Sequence, residues 1–375
     1  MSQTHWIDTP AGLAAAIARW QGRAWLTVDT EFLRIDTYRP KLCLVQIGDG
    51  QDAWVIDAIA ITDLSPLFER LNDPSTVKVF HAASQDLEIF SQLTGRCPAP
   101  VYDTQLAASL LGLGDQLGYA ALVEKRLGIV IDKSLSRTDW SRRPLSQPEI
   151  DYAAADVTHL ATLYPPLHEA LVVAGREAWL LEDARRMEDP ATYETRPEDA
   201  WKRLRGLARL APVGQQLAAR LAGWRETEAQ QRNRPRGWIL DDEALYRLAE
   251  RLPRSLEAMA ALKVLPPKTL ERHGSRLLAL LAEPLPEPVP VLAQDERLAP
   301  EQKRRLQRLQ DACRQAAESL GLPPGLLAPR AELEALLFQG AAAPVRVLSG
   351  WRRSVLGEAL LRALDEPKPA APLVM

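Results

Sequence analysis

The chain has 375 residues, enough for two or three domains. Apolar residues make up 46%, which allows real cores, and the net charge of −3 excludes a global polycation, so any nucleic-acid site has to be a local patch. Three scattered cysteines, Cys43, Cys97 and Cys313, exclude a disulfide framework or a cysteine zinc site and fit a reducing cytoplasm.

In chain order, the opening MSQTHWIDTP lacks the basic and apolar segments of a signal peptide, and no later run is long and apolar enough to span a membrane. Four short runs of strand formers follow: Ala24–Asp29, Leu42–Ile47, Ala53–Ile56 and Val77–Phe80. The second and third are separated by Gly48-Asp49-Gly50, which predicts a hairpin. Helical patterns are expected over Pro10–Trp20, Leu64–Asn72, Gln85–Thr94, Thr104–Leu111, Tyr119–Leu127 and Gln147–Ala174. This alternation predicts an α/β domain with a mixed sheet flanked by helices. Beyond about residue 190 no convincing strand remains, and the text becomes rich in Arg, Ala and Leu, broken by prolines. Two all-helical blocks are expected there, separated by the Pro-rich EPLPEPVPVLA, with a disordered tail.

Chemistry concentrates in the first domain. Asp29 and Glu31 end the first predicted strand and share one of its faces, so two carboxylates crowd together and call for a hard cation. Taken alone, this is also an ordinary acidic turn. Asp86 lies in the first turn of a predicted helix, where it would favour the helix dipole even without a catalytic role. Tyr152 and Asp156 are four residues apart on one helical face, with only alanines between them.

The ordered set resembles the DEDD superfamily of 3′→5′ exonucleases, in its DEDDy form, and more narrowly the ribonuclease D family. The motifs read VDTEF (Asp29, Glu31), HAASQDLE (Asp86) and YAAADV (Tyr152, Asp156). TYRPKLCLVQIGDG, YDTQLAASLLG and DKSLSRTDWSRRPLSQPEIDYAAADV match the family further. EDAWKRLRG resembles the family's entry into its C-terminal region, and LLAPRAELEALL with LSGWRRSVLGEALL resembles a second, divergent helical copy. The resemblance implies a ribonuclease H-like exonuclease domain over 1–192 and an HRDC domain over 193–285. A Pro-rich linker (286–296), an HRDC-like helical domain (297–366) and the tail (367–375) would follow.

It also implies hydrolysis assisted by two Mg²⁺ or Mn²⁺ ions held by Asp29, Glu31, Asp86 and Asp156, with Tyr152 orienting the attacking water. The expected substrate is RNA, in particular the 3′ ends of tRNA precursors, trimmed one 5′-mononucleotide at a time. The expected location is the cytoplasm, with no membrane contact and no obligate protein partner. Phe32 and Leu33 are candidates for wedging against terminal bases. His81, Lys133, Trp140 and Arg143 are candidates for substrate contact, each with a competing structural reading. Lys202, Arg203, Arg205, Arg209, Arg220, Arg225, Arg232, Arg234 and Arg236 predict a basic patch on the first helical block, or else a solvated helix face. The rival functions are a DNA 3′→5′ exonuclease and a catalytically inactive RNA-binding scaffold.

Overall fold

The computed structural model describes residues 3–132, 134–292 and 298–365, so Lys133, the tail and the end of the Pro-rich spacer lie outside the described residues. In chain order the first domain runs β1 (Thr4–Ile7), α1 (Pro10–Arg19), β2 (Trp25–Leu33), β3 (Lys41–Gly48), β4 (Ala53–Asp57) and α2 (Ser65–Leu71). It continues through β5 (Val77–Phe80), α3 (Ser84–Thr94), β6 (Val101–Asp103), α4 (Thr104–Leu110), α5 (Tyr119–Leu127), α6 (Gln147–Val173) and α7 (Glu177–Met187).

The six strands form one sheet in the order β1-β4-β3-β2-β5-β6. β1 runs parallel to β4, β2 to β5 and β5 to β6, while β3 and β4 form the expected antiparallel hairpin with Gly48 opposite Ala53. The sheet is therefore mixed, as expected. Three elements escaped the sequence reading: the edge strands β1 and β6, and α7. Short edge strands such as THWI and VYD carry almost no periodicity of their own and owe their conformation to the neighbour they pair with. β2 also runs four residues past its expected end, so Asp29 and Glu31 sit within a strand rather than at its tip.

The described residues form two compact units. The first takes the residues up to Phe32, Leu42–Thr192 and those from Leu298 onward. Its last stretch folds as α13 (Pro300–Leu320), α14 (Pro324–Leu327), α15 (Arg330–Gln339), α16 (Gly350–Arg352) and α17 (Glu358–Asp365), preceded in the chain by the helices of the second unit. This helical block shares a hydrophobic core with the sheet domain: Tyr102, Leu110, Leu160, Leu171 and Leu180 cluster with Leu309, Leu336, Val347, Trp351 and Leu360. Trp179 stacks on Trp351 with ring centroids 4.4 Å apart. Beside them the buried Arg352 guanidinium donates to both oxygens of Asp183, at 2.5 and 2.8 Å. Removing one partner of such a pair strands a buried charge. Cutting the chain near residue 195 would therefore expose an apolar face rather than release a finished domain.

The second unit comprises Leu33–Lys41 and the residues from Tyr193 to the spacer. Its helices are α8 (Pro212–Arg232), α9 (Arg236–Ile239), α10 (Asp242–Arg251), α11 (Leu256–Ala261) and α12 (Pro267–Ala282). Leu217, Leu221, Leu245, Leu248, Met259 and Leu277 form its core. The segment between β2 and β3 is part of it: the Arg39 N–H donates to Asn233 Oδ1 at 2.9 Å, and the Tyr38 hydroxyl bonds Glu226.

Candidate active site

Strand alternation and one helix build the site. Thr27, Asp29 and Glu31 are alternate residues of β2 and share a face. That face is covered by α6, because the Thr27 hydroxyl donates to the Val157 carbonyl at 2.9 Å. One residue earlier, α6 presents Asp156. Carboxylate oxygens of Asp29, Glu31 and Asp156 consequently lie within 4.8 Å of one another.

Asp86 is buried in the first turn of α3, where the Thr30 hydroxyl donates to its Oδ1 at 2.5 Å. It stands outside the tight trio, but its negative charge is felt by Glu31. Tyr152 lies one turn before Asp156 on α6, and its ring stacks on Trp140 at 6.2 Å. The start of α6 is fixed by Glu149, whose carboxylate accepts from the N–H and the hydroxyl of Ser146, at 2.7 and 2.8 Å. Tyr119, which sequence reasoning missed, donates its hydroxyl to the Asp156 carbonyl and so pins the helix at the turn that carries Asp156. No local motif marks it, because the bond joins two helices 37 residues apart.

Among the described residues, the electrostatics are those of crowded, buried acids. Burial, then the charges of Asp29, Asp156 and Asp86, push the Glu31 carboxyl up to about 9. Burial and Asp29 push Asp156 to about 8, and burial lifts Asp29 to about 6. Asp86 is raised well above the usual range, first by burial and then by Asp29. An all-oxygen, all-anionic donor set of this kind suits hard divalent cations such as Mg²⁺ and Mn²⁺.

Because these acids hold protons more tightly folded than unfolded, the native state binds more protons between about pH 4 and pH 9. Stability without metal should therefore fall as the pH rises through that window. Divalent cations need the deprotonated ligands, so Mg²⁺ or Mn²⁺ should raise the melting temperature more at pH 8.5 than at pH 5. Thermal melts in EDTA and in metal decide it; a flat profile with no response to metal at either pH rejects the cluster as a cation site.

The remaining candidates have other partners. Arg143 donates to both oxygens of Asp57 at 2.6 Å and to the carbonyls of Cys43, Trp140 and Arg142. Its guanidinium is committed to bracing the loop before α6, not to a phosphate. Trp140 is 2% exposed and backs the Tyr152 ring, so it does not offer a face to a base. His81 bonds the Thr104 hydroxyl and the Leu117 carbonyl, each at 3.0 Å, and burial lowers its pKa, which favours the structural reading. Phe32 and Leu33 are half-buried where β2 leaves the carboxylates, and Lys133 lies outside the described residues.

The basic patch is also altered by the fold. Lys202, Arg220, Arg225, Arg232, Arg234 and Arg236 each pair with a carboxylate of the same unit: Asp199, Glu283, Asp242, Glu228, Asp36 and Glu226 respectively. Three of these acids are distant in sequence from their partners, so a count along the chain overstated the positive surface. The exposed pairs among them, those of Lys202, Arg232 and Arg234, are weak and exchangeable, and a phosphate can replace the carboxylate, whereas Arg225 and Glu226 are buried.

A mixed sheet bearing this carboxylate cluster defines a nuclease-type site, and comparison with known proteins assigns its class. A family model described as 3′-5′ exonuclease matches residues 4–171, and an HRDC domain model matches residues 214–281. Ribonuclease D of Pseudomonas paraeruginosa is 41% identical over 369 residues, 97% of this chain and 98% of that protein. Ribonuclease D of Zymomonas mobilis is 40% identical over 97% of this chain and 94% of its own. The crystal structure of Escherichia coli RNase D, described as an exoribonuclease involved in structured RNA processing, matches with a TM-score of 0.89 at 32% identity, covering 97% of this chain and 99% of that one. The chain belongs to the ribonuclease D family of 3′→5′ exoribonucleases. Among the described residues, no helix is long and apolar enough to cross a membrane.

Proposed function

We propose that this chain trims extra nucleotides from the 3′ ends of tRNA precursors and other structured RNAs, releasing 5′-mononucleotides in the cytoplasm. The observation that carries the reading is the meeting of Asp29, Glu31 and Asp156 within 4.8 Å, one helical turn from Tyr152. Asp29, Glu31 and Asp156 would hold one divalent cation, and Asp29 with Asp86 a second. When bound, the ions supply charge for the phosphodiester oxygens and acidify water.

The protein's own groups do the rest. Tyr152, raised to about 12 by burial and by the Asp156, Glu31, Asp29 and Asp132 charges, keeps its proton at any working pH. It therefore acts as a hydrogen-bonding group that orients the attacking water, not as a phenolate base. Trp140 holds its ring and Tyr119 holds its helix. Phe32 and Leu33 would meet the terminal bases without regard to sequence. On this reading residues 1–192 are the nuclease, 193–285 the HRDC domain and 297–366 a divergent second copy, with the arginine-rich surface of the HRDC unit exchanging its carboxylate partners for RNA phosphates. All three cysteines are buried thiols, which suits a reducing compartment.

The test is digestion of a tRNA carrying a few extra 3′ nucleotides, with and without Mg²⁺ or Mn²⁺, beside a DNA strand of matched end sequence. Stepwise, metal-dependent shortening of the RNA alone is the expected result. Preferential digestion of DNA would favour a repair-type exonuclease, and binding without cleavage would favour a scaffold.

A further inference from the structure

Gln46, in the middle of β3, is completely buried, and neither the nitrogen nor the oxygen of its side-chain amide has a hydrogen-bond partner. That is a costly arrangement. A buried amide without partners loses its hydration and gains nothing, so an apolar residue of the same volume would make a more stable protein. Buried orphaned polar groups are rare enough that each needs a cause.

Its position supplies one. β3 lies next to β2 in the sheet. Two close approaches give the register between them. A methyl group at Gly48 would collide with the Thr27 hydroxyl, and one at Gly50 would come within 2.8 Å of the Trp25 ring. Residues 48 and 27, then 50 and 25, therefore face each other across an antiparallel pair, and the same register sets Gln46 opposite Asp29. Both lie on the face covered by α6, since Gly48 and Thr27 both approach Val157. On the other flank, the cross-strand neighbour of Gln46 on β4 is Val55, which offers no polar side chain. Directly opposed residues have Cβ atoms roughly 4.5–5.5 Å apart. Asp29 is thus the polar side chain directly opposite the amide.

We propose that Gln46 is a positioning residue for Asp29, its amide N–H holding that carboxylate in the orientation that accepts divalent cations. The inference rests on the reading of Asp29 as a cation ligand. Among the described residues, no protein group satisfies the amide. With the cluster charged and loaded, one Asp29 oxygen turned towards β3 takes the amide hydrogen and leaves the other oxygen for the site. The protein accepts an unsatisfied group in its core in exchange for a preoriented ligand, a trade commonly found at functional sites.

Gln46→Met keeps the length and volume of the side chain and removes the amide. In the full-length chain, melting in EDTA should occur at or above the wild-type temperature, because the orphaned group is gone. The Mn²⁺ concentration that produces half of the thermal shift should rise by roughly 10- to 100-fold, the usual cost of losing a group that orients a metal ligand. Combined with Asp29→Asn, Gln46→Met should add little further loss, since it acts through the residue already changed. Wild-type Mn²⁺ titration in Gln46→Met overturns the proposal, and so does a clear drop in its EDTA melting temperature, which would mark the amide as part of the core. Asp29→Asn titrated alone separates the two levels. If it responds to Mn²⁺ like the wild type, the reading of Asp29 as a ligand fails. If it has lost the response while Gln46→Met keeps it, only the role of Gln46 fails.

Discussion

Asp29→Ala is expected to abolish hydrolysis while the chain stays folded. Asp29 is the strand residue whose carboxylate lies within 4.8 Å of those of both Glu31 and Asp156, and the acid whose charge most raises Asp156. On the proposed reading, its loss breaks the arrangement shared by two cation sites. Metal-assisted stabilisation of a transition state is worth several kcal/mol, so the single-turnover rate should fall on the order of 10³-fold or more. Stability should move the other way. Asp29 is lifted to about 6 by burial, so at pH 8 in EDTA the folded chain carries it ionised in a buried position, at a cost. Removing it relieves that cost, and the metal-free melting temperature at pH 8 should hold or rise. A simple structural carboxylate would show the opposite pair of results. Hydrolysis within tenfold of wild type in Asp29→Ala would remove the basis of the cation assignment.

Tyr152→Phe should slow the chemical step and leave binding alone. The ring is held by its stack on Trp140, and phenylalanine preserves that contact. The carboxylates are untouched, so the Mn²⁺ response should be that of wild type. What disappears is a hydroxyl that stays protonated across the working pH range and lies one turn from Asp156. A positioned hydrogen-bonding group of this kind contributes roughly 10²-fold. The loss should appear in kcat and not in KM, because the interaction belongs to the attacking water and not to the bound strand. If the residue only packs, single-turnover cleavage at saturating RNA and metal will match wild type, and Asp156 will be left as the one residue of α6 that takes part.

The two experiments together separate ligand from orienting group. Asp29→Ala should lose the metal response and the rate together; Tyr152→Phe should lose the rate alone. A variant of Tyr119 would act at one remove, by loosening the α6 turn that carries Asp156, and would be expected to disturb both modestly.

What could be read along the chain was whatever is local. The runs of strand formers gave four of the six strands, because periods of two and short apolar runs are properties of neighbouring residues. The DTE triplet announced two carboxylates on one strand face, and the YAAAD spacing put a tyrosine and an acid on one helical face, because a strand and a helix have fixed repeats. The change from strand formers to Arg/Ala/Leu-rich text marked the passage to helical domains. These features by themselves determined the class of fold and the residues to be tested first.

Tertiary structure decided the partners. Whether Arg143 meets a phosphate or Asp57 depends on how the loop before α6 lies against β4, 86 residues away in sequence. The arginines of the second unit look like a bare basic surface until folding brings Asp36, Asp242 and Glu283 to them. The final helical block reads as an independent domain until its leucines are found in the same core as α6 and α7. Gln46 looks like any residue in LCLVQIG, and only the register of β2 against β3 sets it opposite Asp29. A sequence states which chemistry each side chain carries and how it repeats along one element. Which groups meet is settled by strand register and helix docking, which join residues too far apart for any local pattern to record.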